Sequence, residues 1–232
     1  MKLAIMQPYL FPYIGYFQLI NAVDKFVILD DVNYFKKGFI NRNNYLINGE
    51  KKILTLPLKD ASQNKLIMET EVLSDLSAKE KFLKTLEVSY KKAPCFTDVF
   101  PLIYKIIMHN ESNLSAYLYN SIININNYLS IDTEIVKTSS VYNTHHLKGQ
   151  FKILDICVQE KATTYINPIG GTQLYNKENF AEKSMNMYFL KIGNINYTQY
   201  KNEFIPFLSI VDVMMFNSIS ALKEHLANYT LE

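Results

Sequence analysis

Residues 2–31 limit the fold more than any other part of the chain. KLAIM (2–6) is an apolar run that stops at Gln7-Pro8 and reads as a buried strand ended by proline. A Pro-aromatic loop runs from Pro8 to Pro12. From Gly15 the pattern YFQLINAVDKF sets Phe17, Ile20 and Val23 near helical spacing. FVIL (26–29) is a second apolar run, closing on Asp30-Asp31. Strand, loop, short helix and strand in so few residues make a compact βαβ unit with parallel strands and a right-handed crossover.

The rest of the chain extends this rhythm. Asn48-Gly49 is a hairpin turn signal, KKILTLPL after it reads as a strand, and LIMETEVL (66–73) is a further candidate. Helices dominate residues 77–129. Ser77 with Glu80 suits a capping box, Phe82, Leu83, Leu86 and Tyr90 mark an apolar face, and Pro94 ends that helix. FPLIYKIIM (100–108) and LSAYLYNSIININNYL (114–129) follow as amphipathic helices. The α/β alternation then resumes: strand 133–139, helix 151–162, strand 163–168, a short helix near 176–183, strand 187–192, and one or two helices over 206–226. The expected fold is α/β, a mostly parallel Rossmann-like sheet with flanking helices and a helical insertion at about 77–129. No Gly/Ser-rich or charge-rich linker divides the chain, so residues 1–232 are expected to form one domain.

Composition excludes several classes. With 48% hydrophobic and 20% charged residues, the 232-residue chain has a globular profile. A net charge of +2 makes no case for a nucleic-acid surface. No run of 18 apolar residues predicts a transmembrane helix. The N-terminus lacks the small-residue cleavage site of a signal peptide. Cys95 and Cys157 form no CxxC pair, and the histidines (His109, His145, His146, His225) show no i, i+4 metal spacing. A cytoplasmic protein without metal or cofactor is the expectation.

Ligands of open α/β sheets bind beyond the carboxyl ends of the strands. Gln7 to Gly15 occupies that place after the first strand, and Asp30-Asp31 after the second. Pro8 and Pro12 stiffen the loop, Gly15 permits close backbone approach, and the helix start offers N–H groups to an anion. Of the 17 Tyr and 14 Phe, a cluster falls here: Tyr9, Phe11, Tyr13, Tyr16 and Phe17, then Tyr34, Phe35 and Phe39. This segment reads as an aromatic, proline-stiffened pocket, and the competing reading is a turn that only packs the sheet edge. Asp30 and Asp31 should point to opposite faces, one toward the pocket as a general base or hydroxyl clamp and the other capping a turn, with Asp31 favoured as the functional one; a structural role for both is the competing reading. Lys36, Lys37, Asn41 and Arg42 form either a ligand clamp or a solvated basic loop. His145-His146 fall in a loop at the same sheet end. Ser209 and Asp212 either cap a helix or line the pocket. Gly170-Gly171 weakly suggests a phosphate nest. Cys157 reads as a packing residue.

QPYLFPYIGYF, LDDVNYFKKGFINRN and TLPL together resemble the WbqC-like family, through Gln7-Pro8, Pro12, Gly15-Tyr16-Phe17, Leu29-Asp30-Asp31, Asn41-Arg42 and Pro57. Looser likeness continues through APCF (93–96), the Gly-Gly segment from Tyr165 to Tyr175, and NYTQYKNEFIPFLSIVD, which closes on Asp212. Asn167-Pro168 departs from the Ser-Gly-like pair that the resemblance leads one to expect. The resemblance implies a role in bacterial O-antigen or polysaccharide biosynthesis: transfer of an acyl or aminoacyl group onto a nucleotide-linked amino sugar, with an acyl thioester or acyl carrier protein as donor. On that reading Asp31, Tyr16 and His146 are the catalytic candidates. Gln7, Tyr9, Tyr13, Gly15, Asp30, Lys37, Asn41, Arg42, Tyr165, Gly170, Gly171, Ser209 and Asp212 would bind substrate. A non-catalytic sugar- or carrier-binding scaffold is the alternative. A nucleotidylyltransferase-like enzyme is a weaker one, since Tyr13 and Tyr16 stand where that fold carries histidines.

Overall fold

A computed structural model describes residues 1–201 and 203–232. The βαβ start forms as the apolar runs require: β1 (Lys2–Met6), α1 (Ile14–Asn21) and β2 (Lys25–Ile28), with β1 and β2 parallel from Leu3↔Lys25 to Met6↔Ile28. The chain then leaves the sheet. It forms the hairpin β3 (Arg42–Ile47) and β4 (Glu50–Thr55), whose turn residues Asn48 and Gly49 both have positive φ, 54° and 76°. Both central φ values above zero are what a tight hairpin turn needs, and Asn-Gly supplies them at low cost. A two-stranded patch of β5 (Leu58–Lys59) and β6 (Glu71–Val72) follows, then α2 (Leu76–Tyr90), α3 (Phe96–Ile107) and α4 (Leu114–Leu129). The chain returns as β7 (Glu134–Val136), parallel to β2. Then come α5 (Gly149–Gln159), β8 (Thr164–Pro168), α6 (Lys177–Ala181), β9 (Asn186–Ile192), α7 (Ile210–Phe216), α8 (Ile219–Ala227) and β10 (Tyr229–Leu231).

The sheet order is β10-β9-β8-β1-β2-β7, and β10 alone runs antiparallel. Strand alternation divides the core. Ala4, Phe26, Ile28, Ile166 and Leu190 face the side covered by α1, α4 and α8, while Leu3, Ile5, Val27, Tyr165 and Phe189 face α5 and α6. The mostly parallel sheet with flanking helices matches the sequence-based expectation. The excursion between β2 and β7 is longer than the helical insertion at 77–129, because it begins with the hairpin. Two local expectations are corrected, and one strand was not expected. Helix α2 starts one residue earlier than Ser77, since the Asp75 carboxylate accepts the Ala78 N–H at 3.1 Å and makes Asp75 the cap. Residues 66–73 hold a short 3₁₀ turn, Ile67–Glu69, and a two-residue strand, because the Glu69 carboxylate accepts the Leu66 N–H and closes the turn. The last strand, β10, carries too little apolar periodicity in YTL to be read from sequence and is selected by its pairing with β9.

Two features position the site. The strand order reverses between β1 and β8, which is the topological switch point of the sheet. These two strands also pair only at Lys2↔Thr164 and Leu3↔Tyr165, whereas β8 and β9 pair over five positions. Toward their carboxyl ends β1 and β8 therefore part, and Met6 and Pro168 flank the opening; Pro168 has no N–H to close it. Gly15 sets how tightly α1 lies on this edge. A Cβ at Gly15 would stand 2.2 Å from Ile192 Cδ1. Gly15→Ala should displace Ile192 and lower stability by about 1–3 kcal/mol, read as a drop in the urea midpoint; an unchanged midpoint would mean that Ile192 moves freely.

Candidate functional site

The opening between β1 and β8 leads into a cavity of about 350 Å³. Its floor and walls are Met6, Pro12, Pro168, Ile169, Leu190 and Ile192, with Tyr9, Tyr13 and Tyr16 from the first loop and helix. Phe39 and Phe207, both largely exposed, stand at the mouth beside Asn43, Asn44 and Lys51. This volume is at the small end of ligand pockets, which suits a ring or short chain and not a whole nucleotide sugar. Gly15 makes its close approach to Ile192, the cavity wall.

The Pro-aromatic loop is held rigidly. Phe11 has a left-handed φ of 44°. Its carbonyl accepts hydrogen bonds from Asn43 Nδ2 at 2.8 Å and Ser209 Oγ at 2.8 Å. Asn43 also bonds the Leu10 carbonyl, and the Ile210 N–H bonds the Pro12 carbonyl. The Tyr16 hydroxyl donates to the Gln7 carbonyl at 3.0 Å, and the Tyr9 hydroxyl reaches Gln7 Oε1 at 3.5 Å. Burial, with Tyr9 nearby, holds the Tyr16 phenol well above its ordinary pKa. The Tyr13 phenol is pushed up to about 12 by burial and has no hydrogen-bond partner among the described residues. It is a neutral donor at the cavity wall through the physiological range.

Asp30 and Asp31 form a second cluster at the ends of β2 and β7. Asp30 accepts from Ser115 Oγ on α4 at 2.5 Å, Thr138 Oγ1 at 2.7 Å and the Ser139 N–H at 3.1 Å. Asp31 turns the other way and pairs with Lys152 on α5, Nζ to Oδ2 2.5 Å, with both side chains almost fully buried. The Ser139 hydroxyl lies between the two, bonded to both carboxylates. Lys152 carried no sequence signal: it stands one helical turn before Ile156 on the buried face of α5, and only the fold brings it to Asp31.

Arg42 lies in a separate recess of about 280 Å³ with Tyr34, Lys36, Asn41, Thr55 and Pro57. The carbonyls of Gly38 and Lys37 hold its guanidinium at 3.0 and 2.6 Å. Thus Lys37 contributes its backbone, and its side chain is exposed. Asn41 is a wall, spanning the Tyr34 hydroxyl and the Leu56 carbonyl. Tyr165 is buried on the opposite face of the sheet, stacked on Phe180. Gly170 is exposed and open; Gly171 is packed so closely that a Cβ would meet the Asn167 amide at 2.0 Å. His146 is exposed and lines neither recess. Ser209 caps α7 through the Val211 N–H as well as clamping Phe11. Asp212 is fully buried and accepts from Tyr197 at 2.7 Å, Gln199 at 2.7 Å and Tyr90 at 2.9 Å. The cavity-lining Asn44, Lys51, Leu190 and Ile192 had no motif to announce them, and Asn43 and Phe207 stand inside quoted motifs without being singled out; only the fold brings them to the loop. Among the described residues no group of three His, Cys, Asp or Glu side chains could hold a metal ion, and no helix is long and apolar enough to cross a membrane.

An α/β protein with a ligand-sized cavity at the switch point of a mostly parallel sheet is the class that this architecture defines. The chain belongs to the WbqC-like protein family, whose model matches residues 7–224. It is also 28% identical over 219 residues, 93% of each chain, to the uncharacterized protein Rv1507c of Mycobacterium tuberculosis. No solved structure matches it.

The buried clusters generate two expectations. Lys152→Met leaves the Asp31 charge uncompensated and should cost about 3–5 kcal/mol, with most of the loss recovered in the double variant Asp31→Asn/Lys152→Met; additive losses in denaturant melts would show that the two groups act separately. Burial outweighs the bonds from Tyr197, Gln199 and Tyr90 and holds the Asp212 carboxyl above its ordinary value. The folded state thus keeps this proton to higher pH than the unfolded chain does. Its contribution is full below an ordinary carboxylate pKa of about 3.9 and falls as pH rises through the raised folded value. The stability gap between wild type and Asp212→Asn should therefore narrow from acid toward neutral pH, and a gap that widens would mean a depressed carboxyl.

Proposed function

We propose that the protein is an N-acyltransferase, joining an acyl or aminoacyl group to the amine of a nucleotide-linked amino sugar in bacterial O-antigen or polysaccharide biosynthesis. The observation that carries this reading is the cavity at the switch point, apolar within and edged by donors: the Tyr13 hydroxyl, the Asn44 amide and the Lys51 ammonium. Family membership supports it. In the reaction the sugar amine attacks the carbonyl carbon of an acyl thioester. A C–N bond forms, the C–S bond breaks, and the thiol leaves with the proton that the amine gives up. No resident metal or redox group is needed for that exchange.

Each role follows from position. The apolar walls take the acyl end of the donor. Tyr13, protonated and without a competing partner, donates to the oxyanion of the tetrahedral intermediate. Arg42, pre-oriented by two carbonyls and joined by Lys36 in a recess where no described lining residue is acidic, takes the diphosphate of the sugar nucleotide. Asp31 and Asp30 tie the end of β2 to the end of β7 and to α4 and α5. Asp31, paired with Lys152 and outside the cavity lining, is a positioning residue on this reading, and Tyr16 holds the loop through the Gln7 carbonyl.

One observation favours a second reading, a binding scaffold without turnover: among the described residues that form the cavity walls there is no histidine, cysteine or carboxylate. The two part on a single experiment. The protein is incubated with nucleotide-linked amino sugars and a panel of acyl-CoA and acyl-carrier donors, and mass spectrometry reads the amide product. Product is expected, with Tyr13→Phe lowering kcat by about 10²-fold. Absence of product across a panel that includes the amino sugar of the same gene cluster would refute the transferase.

A further inference from the structure

We infer that the cavity receives the transferred group as an uncharged aliphatic acyl chain and rejects aminoacyl groups bearing a free ammonium. This deepens the transferase reading and rests on it. The argument is one of charge and volume. Met6, Pro12, Pro168, Ile169, Leu190 and Ile192 offer an ammonium no acceptor beyond the weak Met6 thioether, and the hydroxyls and amides that also line the cavity, on Tyr9, Tyr13, Tyr16, Asn43 and Asn44, are neutral. Among the described residues that line the cavity none is acidic, and Lys51, the charged one, has the same sign as an ammonium.

The carboxylates at this end of the sheet are already engaged. Asp30 is held by Ser115, Thr138 and Ser139, and Asp31 by Lys152 and Ser139. Neither lines the cavity. The ammonium of an aminoacyl thioester sits one carbon from the carbonyl, so with the carbonyl at Tyr13 it would lie against apolar wall. An unpaired buried charge there costs far more than an acyl chain gains by entering. A glycyl group would also leave most of the 350 Å³ unfilled. An aliphatic chain buries its methylenes there, each worth about 0.8 kcal/mol, while its carbonyl meets the donors at the mouth.

The test uses the purified full chain with simple probes. Octanoate and octylammonium share a tail and differ in the sign of the head. Isothermal titration should show octanoate binding at least about tenfold tighter. Lys51→Glu, an exposed position on β4, should reverse that order without loss of folding. With N-acetylcysteamine thioesters and an amino-sugar acceptor, octanoyl should be transferred and glycyl should not. Octylammonium binding as tightly as octanoate, binding of neither probe, or glycyl transfer with a kcat/KM equal to that of octanoyl would each overturn the inference. Octanoate binding with no amide from any donor would instead defeat the transferase reading and leave the cavity's preference standing.

Discussion

Three backbone carbonyls, those of Leu10, Phe11 and Pro12, join the separate parts of the molecule. They accept from Asn43 on the hairpin and from Ser209 and Ile210 at the start of α7, so segments far apart in sequence converge on one loop. Phe11 must hold a left-handed φ to turn its carbonyl toward both donors. Such a conformation persists in a non-glycine residue only when its surroundings over-determine it. Pro8 and Pro12 reduce the freedom of the loop on either side, and the two side-chain donors fix the rest.

Because that loop is fixed, the cavity has one rigid side. The other follows from the sheet. Reversal of strand order between β1 and β8 sends their helices to opposite faces, and their early loss of pairing leaves a gap at their carboxyl ends. Tyrosines enter this gap from the loop side and Ile169, Leu190 and Ile192 from the sheet side. The polar cluster at Asp30 and Asp31 is a neighbour of a different kind. Its carboxylates are fully committed to Ser115, Thr138, Ser139 and Lys152 and lock α4, α5 and the end of β7 to the end of β2.

The sequence motif around Asp30-Asp31 therefore mixes two physical roles. Adjacent strand positions point to opposite faces, and the carboxylates do reach different helices. What sequence could not show is that a serine more than a hundred residues away would touch both, or that a lysine on a helix read as amphipathic would be buried against one. The same holds for the motif ending at Asp212. Its Tyr, Gln and Asp are a buried hydrogen-bond network, joined by Tyr90 from α2, while its Ser209 clamps the Phe11 carbonyl, and local spacing suggests capping as readily as pocket lining.

By itself the sequence determined the α/β alternation, the opening βαβ unit, the Asn-Gly hairpin, the family, and the location of the aromatic loop at a strand end. All of these depend on short-range regularities: apolar runs, helical spacing, and residues whose φ is restricted or free. Tertiary structure alone decided the order of strands, the antiparallel closing strand, the separation of Arg42 from the cavity, and the burial of Tyr165, Ser209 and Asp212. These depend on which distant segments meet, and a side chain's chemistry is set by the partner it finds there. The aromatic richness of the first loop was visible from the start; that it walls an apolar cavity with donors at its edge is a property of the fold.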